Sequence, residues 1–392
     1  MKIMRSTGLT LVTLSLLLEV PAIAQTASVQ SIDGTGKVRV QREKRSDWLP
    51  VRQGTTLYQG DQILPDRGVK VYVRCPDSNK TLVRAGVPSG LGSICLRWSY
   101  RDFRGTQAEE TLGGIDPSIP YLITPRHSLL LSSTPLIRWN PVSGATEYRV
   151  EVTGPSGSMW STQTKDTQIV YAGKSLEAGV PYSITVQTNT GKSSRDDRAP
   201  NQTQPSSNLD FRILRPAEAA AIKAEAAKIS STPPTTAADA LDLARLYGNY
   251  VLPESVIKAY NLSPDNYQTY SLTGDAIALL EASIKQGKGS PILHRTLGDL
   301  YWQTGLIRPA QIHYLKAIDL VQGLEDLEDW TLAHHSLGKT YAAIGNAQQT
   351  LQHYRQAKAG YTFLRDTGAA TDLARRIQRL EAATTGSQSI AN

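Results

Sequence analysis

Two stretches in the last third of the chain decide its fold, Leu297-Gly298-Asp299-Leu300-Tyr301 and Leu337-Gly338-Lys339-Thr340-Tyr341. Each is followed at the same offsets by an aromatic residue and an alanine: Tyr314 with Ala317, and Tyr354 with Ala357. A pattern that recurs at a fixed period indicates a repeat, in which each unit is one supersecondary element that packs on the next. The sequence therefore predicts paired helices that approach closely where the small residues fall.

A weaker copy of the pattern precedes these two. It begins with Leu243-Ala244-x-x-Tyr247 and is less regular. After the last copy, Leu373, Ile377 and Leu380 follow at the spacing of an amphipathic helix, which is suited to capping the end of a stack. Because such units cannot bury their apolar faces alone, we expect one all-α domain over residues 237–385.

The Leu-Gly, Tyr, aromatic and Ala positions of this pattern resemble those of the tetratricopeptide repeat. The resemblance implies a solenoid with a groove lined by the first helix of each pair, which suits a protein or peptide partner. The partner-binding residues that it implies are Ile292, Arg295, Asp299, Trp302, Leu332, His335, Lys339 and Ala342. A packing or solvent-facing role is left open for each of them.

The N-terminal part of the chain has a different periodicity. Residues 27–104 contain short runs in which apolar and polar residues alternate, such as Val69-Lys70-Val71-Tyr72-Val73, and these runs are separated by glycines. Period two predicts an all-β module. The order of Gly36-Lys37-Val38, Trp48-Leu49-Pro50-Val51 and Gly60-Asp61-Gln62-Ile63 resembles the FecR-type extracytoplasmic domain.

A second alternating pattern covers residues 125–216. The runs Pro135-Leu136-Ile137-Arg138-Trp139 and 145–152, with Tyr182 ahead of a later strand, resemble a fibronectin type III domain. The resemblance implies an immunoglobulin-like β-sandwich in which the Tyr182 hydroxyl hydrogen-bonds to upstream backbone. Connecting segments are predicted at 105–124, a linker, and at 217–236, a helix and linker.

The predicted fold class is therefore multidomain. It consists of an N-terminal all-β module, an Ig/fibronectin III-like β-sandwich and a C-terminal all-α tetratricopeptide-repeat solenoid.

The first residues have the features of an export signal. Lys2 and Arg5 precede the apolar run Gly8–Leu18, and Ala22 and Ala24 are the small residues that a signal peptidase reads. We expect a signal peptide over 1–24, cleaved after Ala24, and a mature chain in the periplasm or the extracellular envelope. The apolar run is well short of the roughly 20 residues that span a bilayer, so no transmembrane span is expected in the mature chain. A cytosolic protein with a chance apolar start is the alternative.

Two cysteines, Cys75 and Cys95, lie in the first β-module. Export would carry them to an oxidising compartment, where pairing is favoured, so a disulfide is expected. Two free buried thiols are the alternative.

Composition and motifs argue against several functions. The net charge of +7 is scattered among acidic residues, which disfavours a nucleic-acid partner but leaves an anionic wall polymer as a possible ligand. No catalytic motif is present, so no enzyme activity, catalytic residue or cofactor is expected. The histidines at 313, 334, 335 and 353 lack the carboxylate spacing of a helical metal site, so no metal is expected either.

The sequence thus predicts a non-enzymatic exported scaffold or adaptor that holds a protein or peptide partner in the groove of the helical repeats. Two other functions stay open. One is FecR-like extracytoplasmic sensing or signal transduction, and the other is a cell-wall-associated binding module.

Overall fold

The structure is a computed structural model, and it describes only part of the chain. The described residues are 27–42, 48–51, 55–57, 61–75, 80–83, 85–90, 94–95, 112–198, 210–229, 234, 237–248, 271–323, 326–364 and 366–390. The predicted signal peptide over 1–24, with its cleavage site, lies outside them, as does the first part of the predicted linker at 105–124. Among the helices of these ranges, none is long and apolar enough to cross a membrane.

The N-terminal region is β-rich, as predicted. Its strands are β1 (Ala27–Asp33), β2 (Val38–Gln41), β3 (Trp48–Pro50), β4 (Thr56–Leu57), β5 (Gln62–Pro65), β6 (Lys70–Arg74), β7 (Lys80–Val83) and β8 (Ser89–Gly90). They form two four-stranded sheets, in the orders β4-β1-β6-β7 and β3-β2-β5-β8. Alternate residues such as Val69, Val71 and Val73 are buried in one core, as period two requires.

The predicted disulfide is confirmed. Cys75 and Cys95 are bonded across a Cα–Cα distance of 5.5 Å, and both are buried in the core of the first module. The cross-link closes a loop of 20 residues, which lowers the entropy of the unfolded chain.

A second set of strands follows. They are β9 (Leu122–Thr124), β10 (Ser128–Leu130), β11 (Leu136–Trp139), β12 (Tyr148–Gly154), β13 (Gly157–Thr164), β14 (Gln168–Val170), β15 (Ser183–Thr188) and β16 (Phe211–Ile213). Two three-stranded sheets, β14-β11-β9 and β13-β12-β15, share one core, and β10 pairs in parallel with β16. Strand β9 falls within the segment that the sequence assigned to a linker.

The buried Tyr182 makes the hydrogen bond expected from the sequence. The backbone N–H of Glu177 donates to the Tyr182 hydroxyl at 2.8 Å. The bond ties the turn before β15 to the strand that follows it, and Tyr182 is 2% exposed. Its role in the described structure is therefore to hold the core.

The C-terminal region is helical, as predicted. Its helices are α1 (Pro216–Ile229), α2 (Ala237–Gly248), α3 (Thr273–Ser283), α4 (Pro291–Gln303), α5 (Ile307–Asp319), α6 (Leu327–Ala343), α7 (Ala347–Phe363) and α8 (Thr367–Ile390). Helices α4 and α5 form one antiparallel hairpin and α6 and α7 a second, each turning through a glycine with positive φ, Gly305 or Gly345. Helix α8 packs on α7 through Leu373 and Ile377.

Small residues set the close approach within each hairpin. A Cβ atom at Gly298 would lie 2.6 Å from the ring of Tyr314, and one at Gly338 would overlap the ring of Tyr354. Only glycine leaves room for these rings, so the Leu-Gly and aromatic positions of the sequence pattern are in direct contact. The two hairpins repeat one packing arrangement.

The second β-unit and the helices share a core. Tyr121, Leu129 and Leu214 from the β-unit are buried in the same cluster as Ile277 and Leu300 from the helices. The backbone N–H of Leu129 also donates to Ser271 O at 2.9 Å. These two parts of the chain therefore pack as one unit, which the sequence did not predict.

Candidate functional site

The eight residues that the sequence singled out lie on α4 and α6, the first helices of the two hairpins. We call this set the first-helix face. Three of its members are buried, with exposed fractions of 1%, 2% and 4%: Ile292, Arg295 and His335. The others are half-buried or, for the last, exposed: Asp299, Trp302, Leu332, Lys339 and Ala342.

Arg295 is the centre of an internal charge network. Its Nε donates to Asp329 Oδ1 at 2.5 Å, and its second nitrogen donates to Asp299 Oδ2 at 2.8 Å. The other oxygen of Asp299 accepts from the Tyr314 hydroxyl at 2.8 Å. Because Asp329 lies on α6, the guanidinium joins the two first helices. A side chain so placed holds the hairpins in register.

His335 is also used inside the protein. Its Nδ1 lies 2.9 Å from the Tyr361 hydroxyl, and its ring packs edge-on against Tyr354. Burial, and then the nearby charges of Lys339 and Arg376, hold the pKa of His335 well below its usual range, so the ring is neutral.

Trp302 and Leu332 pack at the two ends of the face. Trp302 lies against a small cluster that includes Leu112 and Ile307, and Leu332 packs against the cluster of α7 and α8. The part of the first-helix face that remains open is a strip of Lys339 and Ala342, beside Asp299, whose two oxygens are bound to Arg295 and Tyr314.

The first β-module reaches the beginning of α6. An ideal Cβ at Gly90 would lie 2.9 Å from Glu328 Oε1, so β8 is in contact with the residue next to Asp329. The module therefore contacts the first turn of α6, next to Asp329.

A buried charge network, which we call the junction, fixes the second β-unit to the helices. One guanidinium nitrogen of Arg126 donates to Asp197 Oδ2 at 3.0 Å, and its Nε donates to the carbonyl of Thr304 at 2.9 Å. Asp197 Oδ1 accepts from the N–H of Gly114 at 2.7 Å. Both side chains are nearly inaccessible, with exposed fractions of 0% and 2%.

Backbone hydrogen bonds and a second ion pair extend the junction. Gly113 donates to Gly305 O at 2.8 Å and accepts from Ile307 N–H at 3.1 Å. Arg138 of β11 donates to Glu281 of α3 at 2.9 Å. Sequence reasoning missed these partners because Arg126 and Asp197 are 71 positions apart in segments that no motif links.

A groove of about 710 Å³ runs between α7 and α8. Its lining residues are Arg355, Lys358, Ala359, Thr362, Phe363, Ala374, Ile377, Gln378 and Glu381. Phe363 is 66% exposed, and Arg355 pairs with Glu381 at 2.5 Å. The groove is the second surface on which a partner could be held.

Comparison with known proteins gives no match, either to a protein-family model or to a curated protein. Within the part of the chain that the structure describes, no three His, Cys, Asp or Glu side chains are grouped to hold a metal ion.

Proposed function

We propose that the chain is a non-enzymatic, exported adaptor that binds a protein or peptide partner on the open strip of the first-helix face. The observation that carries the proposal is the repeated hairpin, in which Gly298 packs on Tyr314 and Gly338 on Tyr354. This packing supports a tetratricopeptide-type assignment, and stacked hairpins of that kind present their first helices to a partner.

The β-units are proposed to position this surface. Two sheets around one core and the hydrogen bond to Tyr182 support a fibronectin III-like assignment for the second unit. The residue order from Gly36 to Ile63 supports a FecR-like assignment for the first. The disulfide supports export, because such bonds persist in oxidising compartments.

Sensing by the first module is the second candidate function. The contact between Gly90 and Glu328 favours it, because a ligand that displaced β8 would alter the beginning of α6. In that case the first-helix face would be the output of the module and not an independent binding site.

The test is photo-cross-linking in cells with benzoylphenylalanine placed at Ala342. The matched control carries the same residue at Gln352, which is exposed on the second helix α7. A third variant at Thr362 reports on the groove between α7 and α8. We expect a specific protein adduct from position 342 and none from 352.

A charge variant then checks the strip directly. Lys339→Glu is expected to weaken capture of the cross-linked protein by about 10-fold, since one charge-assisted contact is worth about 1.4 kcal/mol or more. Lys358→Glu, at an exposed position of α7, is the control and should leave capture unchanged. Adducts from 362 alone, or from wall polymer at every position, would move the site away from the first-helix face. Arg295 stays unaltered because it is bound inside the protein.

A further inference from the structure

Four histidines form two pairs that repeat with the hairpins. His294 of α4 and His313 of α5 approach through their Nδ1 atoms at 3.0 Å, and His334 of α6 and His353 of α7 approach in the same way at 2.8 Å. In each pair the partners are 19 positions apart, and the second pair follows the first by 40 positions. Each pair therefore joins the first and second helix of its hairpin at the same place.

The surroundings of the pairs also repeat. The ring of His313 stacks on Tyr301 with centroids 5.4 Å apart, and that of His353 stacks on Tyr341 at 5.3 Å. Both tyrosines belong to the Leu-Gly-x-x-Tyr pattern that defines the repeat. The first histidine of each pair is buried, with exposed fractions of 7% and 8%. The pairs are therefore part of the interior that holds each hairpin closed.

The number of protons bound to a histidine pair determines whether its hydrogen bond can form. In a neutral pair, Nδ1–H of one ring donates to the lone pair on Nδ1 of the other, so one proton lies between the rings. A first added proton occupies the free Nε2 of the donor ring and leaves that bond intact, at the cost of a buried charge. A second added proton takes the acceptor lone pair, and two cations then face each other. The pair must separate at that point.

Among the described residues, few charged groups could offset the repulsion between two protonated rings. Lys316 of α5 and Glu281 of α3 act on the first pair, and Glu281 is held by Arg138 and by the Tyr301 hydroxyl. At the second pair Trp330 lies edge-on to His334, and the partner imidazole of His353 acts on His334. Burial first, and the partner imidazole second, lower the pKa of His313 and of His334 to about 4. At the first pair the charge of Glu281 is already shared with Arg138, and at the second pair no carboxylate of the described residues acts on either ring.

We propose that the two histidine pairs form an acid-sensitive latch, which opens both helical hairpins together when the pH falls well below neutrality. Opening would separate α4 from α5 and α6 from α7, and so dismantle the first-helix face. The proposal concerns the chain alone and does not depend on the adaptor function.

Hydrogen exchange of the full mature chain, followed by mass spectrometry and corrected for intrinsic rates, tests the latch. Between pH 7.5 and pH 4.5 we expect peptides from 291–319 and 327–363 to lose protection by at least about 10-fold. Peptides from the strands between 136 and 188 should keep their protection. Uniform loss across both regions, or none in the hairpins, would overturn the proposal.

A variant separates the latch from general acid sensitivity. In His313→Gln with His353→Gln, the amide can accept from the remaining histidine but cannot take a proton. We expect this variant to match the parent at pH 7.5 and to retain most hairpin protection at pH 4.5. Thr350→Ala, a buried change in the second hairpin at a residue whose hydroxyl donates to Asn346 O, should open in acid like the parent. Equal acid loss in the glutamine variant would contradict the latch.

Histidine ring resonances of the unaltered protein give a second measurement if the glutamine variant fails to fold. We expect both pairs to titrate at one midpoint, together with loss of the hairpin signals. Independent titration near the ordinary pKa of about 6.5, with the hairpins intact, would rule the latch out.

Discussion

The junction and the hairpins are both buried, yet they are stabilised by different chemistry. At the junction, Arg126 and Asp197 of the second β-unit form a buried ion pair, and Arg138 of the same unit pairs with Glu281 of α3. In the hairpins, glycine packs on tyrosine and neutral histidines meet in pairs. Ion pairs thus hold the second β-unit on the helices, whereas close packing and hydrogen bonds between neutral side chains dominate where the two helices of one hairpin meet.

The largest effect should come from the junction. Arg126→Met leaves Asp197 buried without its cation, which costs about 3–5 kcal/mol of unfolding free energy. The double change Arg126→Met with Asp197→Leu should recover part of this loss, because neither charge of the pair then remains buried. Urea denaturation followed by circular dichroism measures both. A cost below about 1 kcal/mol would show that the buried ion pair stabilises the junction no more than an exposed pair would.

Acid should weaken the hairpins. The pKa of His313 and of His334 is about 4 in the folded protein and about 6.5 when unfolded. Their stabilising contribution is therefore complete above pH 6.5 and is lost as the pH falls toward 4. At pH 5 the two groups together should lower the free energy of unfolding by about 4 kcal/mol. Urea midpoints at pH 7.5 and 5.0 measure the loss, and a midpoint that does not change would contradict it.

The next effect in size should come from overpacking a hairpin. Gly338→Ala forces a methyl group into the ring of Tyr354 and should cost about 1–3 kcal/mol, although alanine is the better helix former. Gly368→Ala, at an exposed position of α8, is the control and should not destabilise. Thermal unfolding of the two variants gives the comparison. Equal melting temperatures would mean that close packing does not set the hairpin.

One carboxyl near the junction should respond to acid in the opposite direction. Burial raises the pKa of Asp275, whose oxygen accepts from Leu131 N–H, to about 6. Its stabilising contribution is complete below pH 3.8 and is lost as the pH rises through 6. Asp275→Asn should therefore stabilise the protein by about 1–2 kcal/mol at pH 8 and have little effect at pH 4. A gain that is the same at both pH values would show that titration is not the cause.

The smallest effect should come from Thr350, a buried repeat position at which the two hairpins differ. Thr350 is fully buried and donates to Asn346 O at 2.7 Å, and the first hairpin has Ala310 in its place. Thr350→Ala removes this bond but improves helix propensity, so the net change should stay below about 0.5 kcal/mol. A loss above 1 kcal/mol in a calorimetric scan would show that the second hairpin is packed differently from the first.

Local pattern predicted the local structure. The Leu-Gly-x-x-Tyr spacing identified the helices, because glycine and tyrosine of one hairpin are close in sequence and touch each other. The two cysteines were paired correctly because they were the only candidates. Alternation identified the β-rich region for the same reason: the period depends on neighbours along one strand.

Long-range contacts were beyond the sequence pattern. Nothing near Arg126 or Asp197 indicates that they meet, and the burial of Arg295 follows from Asp329 on a different helix. The histidine pairs could have been predicted, because their positions recur at the period of the repeat. The adjacent His334 and His335 were considered only as metal ligands. The recurrence of histidine at the period of the repeat was the sequence signal for these pairs.

The backbone bonds between Gly113 and the turn at Gly305 also determine how mechanical force would travel. Leu112 is buried against Ile307, so tension that arrives from the first module enters the helices at this point. The second β-unit begins after Gly113 and returns to α1 only at its end. It therefore lies in a closed loop beside the load path, and a pull between the N-terminal module and the helices would leave its strands unstretched until the bonds at Gly113 rupture.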